Sequence, residues 1–99
     1  MRYEVYQSYE TLGDPSREEF SSQQEAEEYA DKLRIEIVQM IQKNWTIEPK
    51  SSYFGGSEAE AWEEAGRMSG GIVGHKFSAE AAEYIAQQAV VIDGIEEED

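Results

Sequence analysis

The chain holds one histidine, His75, and no cysteine. Those two counts remove histidine-pair metal sites, Cys–His dyads, zinc–thiolate centres and disulfides. A Ser–His–Asp arrangement needs only one histidine, but no Gly-x-Ser-x-Gly elbow is present, and His75 reads as a loop or strand-edge residue. The run Gly70-Gly71-Ile72-Val73-Gly74-His75-Lys76 comes nearest to a phosphate-binding loop. It fails because His75 stands where a glycine should, and Phe77 where a Ser or Thr should hold magnesium. Its glycines are expected to serve a turn. Paired carboxylates could do acid–base work, as in glycoside hydrolysis. With 22 acidic residues some pair at almost any spacing, so the pairing carries no information. Asp93–Asp99 lacks the alternating oxygen ligands of a calcium-binding loop. No catalytic residue, metal site or cofactor is expected, and the sequence is read as non-enzymatic.

Charge is the informative quantity. The 99 residues carry 22 acidic and eight basic side chains, a formal net charge of −14. Direct nucleic-acid binding needs a basic surface for the phosphates, so it is disfavoured, as is an anionic membrane. A basic protein partner would be attracted. Neither a signal-peptide pattern nor an apolar run of membrane-spanning length is present, so a cytoplasmic setting is expected. Asn44-Trp45-Thr46 matches the glycosylation pattern, which without a secretory signal is read as chance.

The elements that must position the carboxylates follow from periodicity. Ser22 to Trp45 is one long helix: Ala26, Ala30, Leu33, Ile37, Met40 and Ile41 recur at three- and four-residue steps, and Ser22 with Glu25 forms a capping box. Glu27, Glu28 and Asp31 lie opposite that stripe. Ile35 points outward, with Val38 and Trp45 on a flank, so the apolar surface is wider than one core face requires. Ahead of the helix, residues 2–9 alternate as a strand, with Tyr3, Val5 and Tyr9 on one side and Tyr6 on the other. Leu12–Ser16 supplies turn chemistry, and Arg17–Phe20 is a short strand pairing back.

Trp45–Ile47 is expected to begin a strand that breaks at Pro49, followed by a loop over residues 50–56. Ser57 and Glu60 suggest a second capping box, opening a helix to Met68 with Ala59, Ala61, Trp62, Ala65 and Met68 inward. Glu60, Glu63 and Glu64 share its other face, with Glu63 spaced to pair with Arg67. Ile72–Phe77 reads as a short strand. Ser78 caps a third helix with Ala82, Ile85, Ala86 and Ala89 inward and Glu80 and Glu83 outward. Val90–Ile92 is a buried strand, Asp93-Gly94 a turn or bulge, and Glu96–Asp99 a solvated, flexible acidic tail.

The sequence therefore predicts a single α+β domain over residues 1–99: a small, mostly antiparallel sheet packed against one long helix and two shorter ones. Its expected function is inhibition of a nucleic-acid-binding protein by occupying that protein's basic groove. The acidic surface for it is Glu27, Glu28, Asp31, Glu60, Glu63, Glu64, Glu80 and Glu83. In composition alone (small, acidic, without a catalytic kit) the chain resembles phage-encoded anti-restriction and anti-CRISPR DNA mimics. No motif carries that likeness. The alternative is a homodimeric assembly module using Ile35, Val38 and Trp45, with acidity serving solubility only.

Overall fold

The computed structural model describes residues 2–13, 17–47 and 56–95, apart from the side chains of residues 56, 57 and 95. Three strands and three helices follow in the order β1 (Arg2–Gln7), β2 (Glu18–Phe20), α1 (Gln23–Asn44), α2 (Gly56–Met68), α3 (Ala79–Ala89) and β3 (Val90–Ile95). The strands form one antiparallel sheet in the order β2-β1-β3. This is the expected α+β architecture.

The strand alternation of β1 sets the two faces of the sheet. Tyr3, Val5 and Gln7 point to one face and Arg2, Glu4 and Tyr6 to the other. The first set meets α1: Val5 is fully buried, and Phe20, opposite Tyr3, lies 5.2 Å from the Tyr29 ring of α1. Gln7 is the one buried polar side chain among the described residues. Its amide donates to the Gly13 carbonyl at 2.7 Å and accepts from the Tyr9 amide at 2.8 Å. β1 thus ends at Gln7, short of the expected Tyr9, which turns into a single 3₁₀ turn (Glu10–Leu12) and is itself buried. Gly13, at φ +108°, closes that turn in backbone that glycine tolerates best.

α1, with 22 residues, is the longest element and runs about 33 Å. Ser22 accepts the Glu25 amide as its N-cap, and Ala26, Ala30, Ile37 and Ile41 are its buried residues. Its first half covers the sheet. Its second half packs against α3, which also packs against α2. Trp62 of α2 joins these layers, lying edge-on to Trp45 at 5.4 Å and to Phe77 at 5.3 Å. Alanine at positions 61, 65, 81, 82, 86 and 89, all buried, lets the helices approach closely.

Several local expectations are corrected. Asp93-Gly94 is neither turn nor bulge. β3 continues through it in register, with Asp93 opposite Glu4 and Gly94 opposite Tyr3, because β1 offers six residues of ladder to pair with. Residues 72–77 and 45–47 form no strands beyond a single Thr46–Lys76 bridge. The Gly74 amide bonds Ile47 and the His75 amide bonds Ile72, in a turn where Gly70, Gly71 and Gly74 all take positive φ. α2 begins at Gly56, so Ser57 lies inside the helix rather than at its cap. Arg67 pairs with Glu64, three residues back, and not with Glu63. Asp14–Ser16, the loop over 48–55 and the acidic run Glu96–Asp99 lie outside the described residues.

Candidate interaction surfaces

The carboxylates singled out from the sequence stand on the outward faces of all three helices. Glu27, Glu28 and Asp31 are exposed on the first half of α1, beside the sheet. Gln23 and Gln24 each donate weakly, at 3.4 Å, to Glu27 and Glu28, and Arg34 pairs with Asp31 at 2.8 Å. Glu60 and Glu63 are exposed on α2, whereas Glu64 is half-buried and bound by Arg67. Glu80 and Glu83 are exposed near the start of α3, which the Ser78 hydroxyl caps by accepting the Ala81 amide at 3.2 Å.

These groups do not gather at one point. α3 begins where α1 ends, since Lys76 donates to the Lys43 carbonyl at 2.7 Å. From Glu28 to that end of α1 is about 24 Å at the 1.5 Å rise of a helix residue. The acidic side chains are therefore spread over a molecule measuring 52 × 23 × 19 Å rather than gathered in one cluster. Six of the 22 acidic residues (Asp14, Glu48 and Glu96 to Asp99) lie outside the described residues; the others are fixed on the framework.

The three candidate apolar-interface residues separate. Ile35 is 59% exposed, but Val38 and Trp45 are half-buried against the chain's own core. Ile72 and Val73, 56% and 60% exposed at the 72–75 turn, were not singled out from the sequence, where they read as strand residues. His75 is exposed in the same turn. Among the described residues no group of three or more His, Cys, Asp and Glu is placed to hold a metal ion. No described helix is long and apolar enough to cross a membrane.

A further acidic row lies on the sheet face turned away from α1. Glu4 stands directly opposite Glu19 on one side and Asp93 on the other. Like charges directly opposite one another destabilise a sheet, so each needs a partner. Arg2 reaches Glu19 at 3.3 Å, Arg17 pairs with Glu4 while lying 4.4 Å over the Tyr6 ring, and Tyr6 donates to Asp93 at 3.0 Å. Sequence reading missed this row because it exists only once strand register is known.

No family model matches the chain, and no curated protein or solved structure matches it.

Proposed function

We propose that the protein is a non-enzymatic acidic binding protein that inhibits a nucleic-acid-binding protein by occupying its basic groove. The observation that carries this reading is the exposure of carboxylates on α1, α2 and α3, on a chain of net charge −14; the reading takes them as one strip. Folded helices hold these groups, so docking costs them less entropy than it would cost an unstructured acidic chain. A basic groove evolved for phosphates attracts such a strip at long range, and the attraction speeds encounter. The narrow, elongated outline suits a groove rather than a flat surface.

The test uses the purified chain as bait in nuclease-treated lysate. Under this reading it retains a nucleic-acid-binding protein that high salt and added duplex DNA each displace. Reversing Glu27, Glu28, Glu60 and Glu63 to Lys, which leaves the Glu64–Arg67 and Asp31–Arg34 pairs intact, should then abolish retention. Retention unchanged by that reversal would remove the main support. A second reading, a homodimeric assembly module, draws on exposed Ile35 alone, because Val38 and Trp45 pack within the chain. A monodisperse monomer by light scattering at high concentration would count against it.

A further inference from the structure

The two edges of the sheet differ. β2 is three residues long and begins with Glu18 and Glu19, which is how natural sheets discourage pairing at an edge. β3 is six residues long and begins Val90-Val91-Ile92, and no described strand pairs with its outer side. The Ser8 amide bonds the Ala89 carbonyl at 2.8 Å, which sets the phase of the ladder. Antiparallel alternation then turns the backbone groups of Val91 and Asp93 toward β1 and those of Ile92 and Gly94 toward the open edge. The Val90 amide is already bound to Ala86 as the end of α3, so among the described residues Ile92 and Gly94 are the donors turned to that edge.

Charge on the same face says what kind of strand would pair there. In the row Glu19–Glu4–Asp93, the first two carboxylates each hold an arginine. Asp93, at the open edge, has only the neutral Tyr6 hydroxyl among the described residues; Arg17 acts on it from farther away. The alternation of carboxylate and cation across the sheet is thus incomplete at its last position. We propose that the outer edge of β3 accepts an extended segment of a partner as a fourth, antiparallel strand, with a Lys or Arg placed opposite Asp93. That residue would fall in a non-hydrogen-bonded pair of the new ladder, where opposite side chains lie closest. Apolar residues opposite Ile92 and Gly94 would face α1. A second copy of the chain fits less well, because it would bring two chains of charge −14 together. The site is separate from the helical strip, so either can fail without the other.

The probe is the blocked peptide Thr-Val-Lys-Val-Thr-Val, with Lys in register with Asp93, followed by amide hydrogen exchange and NMR titration of the intact chain. In the free protein the Ile92 and Gly94 amides should exchange faster than those of Val91 and Asp93. The peptide should slow both. Replacing its Lys by Glu, or N-methylating the two residues that bond Ile92 and Gly94, should abolish that protection. Asp93→Asn should weaken binding by about two- to fivefold, as for an exposed ion pair. Protection of Ile92 and Gly94 before any peptide is added would overturn the proposal, because the edge would already be occupied by the chain itself or a second copy. Equal binding of the Lys and Glu peptides, binding that leaves both amides unprotected, or no binding at all would overturn it too.

Discussion

Two tyrosines report on the local environments that matter most. Tyr6 has its pKa raised above the ordinary tyrosine value, first by its hydrogen bond to Asp93, then by burial and by the charge of Asp93. Tyr9 is raised first by burial, with the charge of Glu58 adding to it. In both, folding favours the neutral phenol. Their stabilising contribution is therefore complete below the unfolded value of about 10 and is lost as pH rises through the higher folded values. Ultraviolet titration should show Tyr6 and Tyr9 ionising above the ordinary tyrosine range, and Tyr6→Phe and Tyr9→Phe should each remove one late component. If neither substitution removed a late component, neither the Tyr6–Asp93 bond nor the burial of Tyr9 would persist in solution. Only Tyr6 belongs to the proposed strand-addition site, so a peptide bound opposite Asp93 should shift its ionisation and leave Tyr9 unmoved.

Among the elements, α2 holds the clearest compromise between propensity and packing. Gly66 lies within its last turns and is buried, and a glycine there costs about 1 kcal/mol relative to alanine in helix propensity. A Cβ at this position would meet only the Ile47 Cγ2 at 3.6 Å, an ordinary contact. Gly66→Ala should therefore raise stability by roughly 0.5–1 kcal/mol in urea unfolding. A loss would mean that Ile47 and the 72–75 turn bonded to it cannot accommodate a methyl. Gly74→Ala in that turn should do the opposite, because its φ of +87° is one that residues with a Cβ adopt at a cost of about 1 kcal/mol. The pair of variants separates the two uses of glycine in neighbouring parts of the same packing layer.

The whole molecule is governed by its charge. Four ion pairs are resolved among the described residues, and all involve exposed partners on at least one side, so they offset little of a −14 excess. Self-repulsion on that scale weakens as salt shortens the Debye length, from about 30 Å at 0.01 M to about 10 Å at 0.1 M. The melting temperature should rise over that range of sodium chloride. A fall would mean that the surface pairs outweigh the repulsion. Salt should act oppositely on the proposed partner complex, which depends on attraction between unlike charges. Stability and retention moving in opposite directions with salt would thus be a signature of a strip held for binding.

Helix identity, the Ser22 and Ser78 caps and the outward placement of Glu27, Glu28, Asp31, Glu60, Glu63, Glu80 and Glu83 were legible in the sequence; the Ser57 cap was not. A 3.6-residue period and a Ser cap are local properties that any packing of these helices must respect. The strand status of Asp93-Gly94, the exclusion of Tyr9 from β1 and the reduction of 72–77 to a turn were not. Each depends on what lies opposite: Glu4 and Tyr3 across the ladder, Gln7 bridging to Gly13, and Ile47 holding Gly74. Packing of half-buried Trp45, the residue after α1, against Trp62 of α2 likewise depended on how the helices are placed in space. By itself, then, the sequence determined an acidic α+β chain with three amphipathic helices. Tertiary structure alone decided that the acidic groups are spread over three helices, that Glu19, Glu4 and Asp93 stand in one row, and that β3 is an outer strand of the sheet among the described residues. Register and layer order are set by contacts between distant segments, which local periodicity does not encode.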